Sequence, residues 1–223
     1  MRLALFDLDN TLLAGDSDYL WGQFLIEQGC VDRETYEREN LRFYEAYKAG
    51  TLDIHEFCRF SFAPLAANEP AVLLAWRERF VAEKIAPIVA PLAPALLEKH
   101  RQQGDHLLIT TATNRFVTEP IARLLGVDTL IATDPEIVNG HYTGQVAGLP
   151  NFQAGKVARL EQWIAEQGEP VEHLSFYSDS HNDLPLLERA DLPVVVDADA
   201  RLLAVAEQRG WRSISLRSEI EVA

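Results

Sequence analysis

From about residue 92 the sequence alternates helical and extended patterns, and this alternation constrains the fold more than any other feature. Helical periodicity over 92–102 ends at Gly104. An apolar run at 106–111 reads as a strand, 114–125 as a helix stopped by Gly126, and 130–132 as a short strand. Residues 134–147 read as an extended excursion turning at Asn139-Gly140. The rhythm resumes with helix 153–167, strand 173–177, helix 183–190, strand 193–196, helix 199–208 and a last strand over 212–216. Strands separated by helices pair in parallel, and the helices cover both faces of the sheet. Residues 3–6, Leu-Ala-Leu-Phe, supply one more buried strand. Between it and the alternating part the pattern is helical throughout, at about 16–28, 32–49, 53–62 and 70–84. Gly29 and Gly50 act as stops, and Pro64, Pro70, Pro87, Pro91 and Pro94 as punctuation. The expected organisation is a doubly wound, parallel-sheet α/β core over 1–13 and 86–223, with an inserted all-α segment over 14–85.

In such a sheet, ligands bind beyond the carboxyl ends of the strands. The residues that follow each strand are therefore the candidates. Asp7 and Asp9 follow the first strand two residues apart; extended geometry puts both carboxylates on one side and Leu8 toward the core. Thr111 closes the second strand. The strand at 173–177 leads into Ser178-Asp179-Ser180-His181-Asn182-Asp183, and Lys156 lies near the start of the helix at 153–167. Carboxylates side by side repel, and a divalent cation relieves that repulsion. An ordinary polar turn accounts for any one of these positions, but poorly for all of them together.

These residues, in order, resemble the four motifs of the haloacid dehalogenase superfamily of phosphohydrolases. Asp7-Leu8-Asp9-Asn10-Thr11 resembles the first, Thr111 the second, Lys156 after Gly155 the third, and Asp179-Ser180-His181-Asn182-Asp183 the fourth. Asn10 replaces a common glycine, and Ser178 and Ser180 replace both glycines of the fourth motif. The resemblance covers the whole chain, including a helical cap inserted after the first motif as in the phosphoserine phosphatase branch. It implies a Rossmann-like core and a phosphatase that uses Mg²⁺. Asp7, Asp179 and the backbone carbonyl of Asp9 would hold the metal. Asp7 would be the nucleophile and Asp9 the acid and then base. Thr111 and Lys156 would bind the phosphate, Asp183 would support Lys156 or a metal-bound water, and Asn182 would touch substrate or order its loop.

The same branch grips a substrate amine with an acidic residue after the first motif; Asp16 falls there, with Asp18 close by. Its arginine for the substrate carboxylate falls on Ser61, with Arg59 two residues earlier. An amine-bearing phosphate ester without a carboxylate fits. Thr-Ala-Thr-Asn-Arg-Phe at 111–116 resembles a proteobacterial branch with histidinol-phosphatase activity, so histidinol phosphate is the expected substrate. Phosphoserine is the alternative, and a catalytically idle binding protein on this fold a second one. With 34 acidic against 20 basic residues, the net charge of −14 argues against nucleic acid or an anionic membrane as partner. No apolar stretch approaches the roughly 18 residues of a membrane span. The first apolar run is too short for a secretory leader. Cys30 and Cys58 read as free thiols, so a cytoplasmic protein is expected. His181 is expected to be loop-exposed, and Trp21, Trp76, Trp163 and Trp211 to be packing residues.

Overall fold

The computed structural model describes residues 1–217; residues 218–223, the end of the expected core segment, lie outside the described residues. The first strand, β1 (Arg2–Phe6), is buried along four of its five residues, as an apolar run covered on both faces requires. A wide turn over Leu8–Leu12 follows. Four helices come next: α1 (Ser17–Glu27), α2 (Arg33–Ala49), α3 (Ile54–Ala67) and α4 (Pro70–Phe80). The side chains of Asp16, Asp32 and Asp53 cap the first three, each accepting a backbone N–H of the first turn.

The chain then runs through α5 (Ala93–Gln102), β2 (His106–Asn114), α6 (Arg115–Leu124) and β3 (Thr129–Thr133). A hairpin follows, β4 (Pro135–Val138) and β5 (His141–Val146), and then α7 (Ala154–Gln167). The end of the chain supplies β6 (His173–Ser178), α8 (Leu184–Arg189), β7 (Leu192–Val196), α9 (Ala200–Arg209) and β8 (Arg212–Ile214). Six strands form one sheet in the order β3-β2-β1-β6-β7-β8, every neighbouring pair parallel. The order reverses beside β1, where β2 lies on one side and β6 on the other. The tips of β1 and β6 therefore flank the switch point at which such sheets bind ligands. This is the doubly wound α/β fold that the alternation predicts.

The helical segment leaves and re-enters the sheet layer through two short ribbons. Leu13 and Val89 form an antiparallel bridge, Ala14 donates to the Ile88 carbonyl at 2.6 Å, and Ala90 donates to that of Leu12 at 2.9 Å. Beyond the ribbons, the apolar interior of the helices runs on into that of the sheet. Trp21 packs edge-on against Phe80 and against Phe116 of α6, in one cluster with Phe6 and Ile109. The β4–β5 hairpin turns at Asn139-Gly140, both with positive φ, and packs on α3. Among the described residues, no helix is long and apolar enough to cross a membrane. Both cysteines are free thiols, as expected.

Candidate active site

Asp7 sits one residue past β1, and its N–H donates to the Tyr177 carbonyl, continuing the β1–β6 ladder by one bond. Asn10 takes φ 59°, a conformation asparagine tolerates, and its N–H reaches the Gly15 carbonyl. This turn aims Thr11 across to the loop after β6. The Thr11 hydroxyl donates to Asp179 Oδ1 at 3.0 Å and accepts the Asp179 N–H at 3.1 Å. It also stands 3.4 Å from Asp7 Oδ2. One hydroxyl thus ties the first acid to the third.

Lys156 projects from the first turn of α7, is 1% exposed, and donates to Asp7 Oδ1 at 2.7 Å and to Asp183 Oδ2 at 2.8 Å. Its seat is prepared by the preceding residues. A Cβ at Gly155 would lie 2.3 Å from the Pro150 carbonyl oxygen, so only glycine lets the helix start so close to that loop. Gln153 is held at φ 47° and ψ −121°. Asn151 is fully buried, and its amide donates to Thr110 and to the carbonyls of Thr111 and Ile131. In the loop after β6, Ser178 donates to Asp183 at 2.7 Å and Ser180 accepts the Asn182 N–H. Neither serine takes a positive φ, so the loop needs no glycine at either position.

The charges do not balance. Asp7, Asp179 and Asp183 face one ammonium. Burial pushes the Asp7 carboxyl up to about 7, against the pull of Lys156 and with the repulsion of Asp183. Burial, then Asp7 and Asp183, hold Asp179 well above the usual carboxylate range. For Lys156, burial alone would lower the pKa, but Asp183 and Asp7 outweigh it and the ammonium is held above its ordinary value. Among the described residues no three His, Cys, Asp or Glu side chains stand together as a metal-binding group. Two carboxylates and a backbone carbonyl, with water, suit a hard divalent ion that keeps part of its own hydration.

Asp9 faces the other way. Its Oδ1 accepts the Ser17 N–H at 2.6 Å, and its Oδ2 accepts the Thr113 hydroxyl at 2.8 Å, with Thr111 at 3.4 Å. Its side chain is thereby committed to a cavity that Asp7, Asp16 and Asp18 also line. Asp16 caps α1 through Tyr19 N–H at 2.8 Å; Asp18 accepts from Ser61 at 3.2 Å and from Asn114 at 3.4 Å. Burial raises all three: Asp9 to about 6 with help from Asp16, Asp16 to about 6, and Asp18 to about 7 with help from Asp9. Among the described residues no lysine or arginine lines this cavity; Arg59 is exposed, and Ser61 is spent on Asp18. Three crowded acids with no cation make a site that favours a cationic ligand.

The structure brings Asp7, Asp9, Thr111, Lys156, Asp179 and Asp183 to the carboxyl edge of the sheet and Asp16 and Asp18 to the same cavity. Of the two roles expected for Asn182, the bonds it makes in the structure are those of ordering its loop. Its Nδ2 donates to the Tyr47 carbonyl at 2.9 Å, and its Oδ1 accepts from Gln153 at 3.1 Å, so it joins the loop to the end of α2. His181 is not simply loop-exposed, because it pairs with Asp199 at 2.8 Å. Sequence reasoning gave Thr113, Asn114 and Tyr47 no role at the site, reading the first two as the turn after the second strand and Tyr47 as apolar helix surface. The first two lie inside the Thr-Ala-Thr-Asn run, whose period of two could have flagged Thr113 beside Thr111. Tyr47 carried only the helical spacing of an apolar face, which does not mark it for the site.

A family model described as haloacid dehalogenase-like hydrolase matches residues 4–188. A histidinol-phosphatase of Neisseria meningitidis is 42% identical over 220 residues, covering 97% of this chain and 99% of its own. A phosphoserine phosphatase of Mycobacterium tuberculosis is 31% identical, over 93% of this chain and 68% of its own. The crystal structure of a Bordetella pertussis protein of unknown function superposes with a TM-score of 0.91 at 44% identity, covering 96% of this chain and 98% of the other.

Proposed function

The chain belongs to the haloacid dehalogenase-like hydrolase family, and from that premise we propose that it is a Mg²⁺-dependent phosphomonoesterase acting on a small amine-bearing ester, histidinol phosphate. The observation that carries this reading is the pairing of two sites across one turn. Asp7 is bonded to Lys156 and tied through the Thr11 hydroxyl to Asp179 on one side, and Asp9 opens on the other into an acidic cavity that, among the described residues, no lysine or arginine lines.

In this reading Asp7 attacks phosphorus and the P–O bond to the alcohol breaks, leaving an aspartyl-phosphate. Asp9 gives its proton to the departing alkoxide, for which a carboxyl raised to about 6 is suited. Asp9 then takes a proton from water, which attacks the aspartyl-phosphate and frees Asp7 and phosphate. Lys156 spends hydrogen bonds on Asp7 and Asp183 and has a third N–H for a phosphate oxygen. Thr111 takes another oxygen. Mg²⁺, held by Asp7, Asp179 and the Asp9 carbonyl, would neutralise charge on the phosphoryl group. The helical segment 14–85 serves as a cap that encloses the alcohol. Asp16 and Asp18 pair with the substrate ammonium, and among the described residues no lysine or arginine lines the cavity to take a carboxylate.

The test is kcat/KM for histidinol phosphate against phosphoserine, with Mg²⁺ and after EDTA treatment. Preference for histidinol phosphate, lost with EDTA and restored by Mg²⁺, is expected. Preference for phosphoserine would replace the substrate assignment with the runner-up. No turnover of p-nitrophenyl phosphate under any metal condition would mean an idle, ligand-binding protein.

A further inference from the structure

Two poor helix formers face each other inside the helical segment. Gly22 lies in the middle of α1 and Asn40 in the middle of α2, where alanine or leucine would favour the helix more. Both are buried. A Cβ on Gly22 would stand 2.7 Å from Asn40 Nδ2 and 3.1 Å from Asn40 Oδ1, so the glycine is what admits the amide. Asn40 Nδ2 donates to the Tyr19 carbonyl at 3.1 Å. A carbonyl must face an NH₂ group, so this bond fixes which end of the amide is which. Oδ1 accepts from no described residue and is not among the sealed, unpartnered polar atoms, and Asn40, 4% exposed, lines the cavity that Asp9 also lines.

The surroundings of that amide are flat and aromatic. Asn40, Phe43, Tyr44 and Tyr47 recur at helical spacing and give α2 one face toward the cavity. Tyr44 meets Tyr19 of α1 with ring centroids 5.3 Å apart, and Phe43 meets Phe57 of α3 at 5.4 Å. An acceptor set among aromatic rings, in a cavity whose acids take an ammonium, calls for a planar ring bearing an N–H donor. We infer that Asn40 is a specificity residue: its Oδ1 accepts the ring N–H of a heteroaromatic amino-alcohol phosphate, and Gly22 keeps it in place. This rests on the proposed function and deepens it, because it assigns the recognition of the ring to one atom.

The experiment compares two esters that differ only in the ring: histidinol phosphate and phenylalaninol phosphate. Both have the amine, the phosphate and a flat ring, but phenyl has no N–H. The readout is the ratio of their kcat/KM values, from which the fraction of folded enzyme cancels. Wild type is expected to favour histidinol phosphate. Asn40→Leu is expected to cut that preference about tenfold or more, since the buried donor of the ring loses its acceptor. Gly22→Ala, which pushes the amide from its seat without removing it, is expected to reduce the ratio in the same direction. A preference unchanged in both variants overturns the assignment of Asn40 and leaves the substrate reading intact. A wild type that prefers phosphoserine, or that does not distinguish the two rings, overturns both. A loss of activity equal on both esters identifies Asn40 and Gly22 as helix-packing residues only and overturns the inference.

Discussion

Thr11 shows how much a single hydroxyl organises: it bonds Asp179 through side chain and backbone and touches Asp7, so the two acids proposed to hold metal are set by one rotamer. Asp7 itself is the residue whose removal should matter most. Asp7→Asn is nearly isosteric and keeps a contact to Lys156, so the fold should persist. Turnover and acid-stable phosphoenzyme labelling should both vanish, read by burst kinetics and mass spectrometry. Asp16→Ala tests the opposite end of the cavity. Removing one partner of a desolvated charge pair typically costs roughly 2–5 kcal/mol. On the order of 30-fold or more should therefore be lost in kcat/KM for histidinol phosphate, at 1.4 kcal/mol per tenfold. p-Nitrophenyl phosphate, which has no amine, should be far less affected. At this scale the acids and Lys156 were legible, because each follows or precedes a strand or helix whose pattern is plain. Thr113 and Tyr47 were not. The period of two puts Thr113 on the side of Thr111, but its bond to Asp9 and that of Tyr47 to Ser180 each join elements far apart in the chain.

Among the elements, the first turn of α7 carries the most concentrated constraint. Gly155 touches the Pro150 carbonyl, Gln153 has a positive φ, and Lys156 follows at once. Gly155→Ala forces an overpacked contact that should cost about 1–3 kcal/mol. At ~2–4 °C per kcal/mol for a chain of this size, calorimetry should register the fall in Tm. Activity should fall further than stability, since Lys156 is displaced with the turn. Most element types were legible, and their boundaries less so. The proline at position 64 suggested that α3 stops near 62, yet the helix continues to Ala67 with Pro64 inside it. Packing decides here, since Leu65 is 1% exposed and α3 lies against β5. β2 likewise runs three residues past its expected end, because Asn114 pairs with Thr133 and Asn151 binds the Thr111 carbonyl. The hairpin was announced by Asn139-Gly140, but its role as a support for α3 required the fold.

For the whole molecule, the collected acids make stability depend on pH and metal. Asp7, Asp9, Asp16 and Asp18 carry folded-state pKa values of about 6 to 7, above their unfolded values near 3.8. The folded state therefore holds more protons than the unfolded one, and stability is lost as pH rises from about 4 to 7. Asp105 and Asp199 shift downward and act only at lower pH. The Tm of EDTA-treated protein should fall across that window, and Mg²⁺ should restore it most at the upper end. A Tm rising from pH 5 to pH 7 without metal would contradict this. The paired ribbons at 12–14 and 88–90 have a different consequence, in time rather than in structure. Leu3 must find His106 across the entire helical segment. If the helices pack first, the ribbons meet and the remaining loop shrinks by about two doublings, which lowers the entropy of closure by roughly 1 kcal/mol. Folding then has a sequence, helices before sheet. Ala14→Pro, which deletes the N–H donated to Ile88, should slow refolding in stopped-flow experiments more than it speeds unfolding.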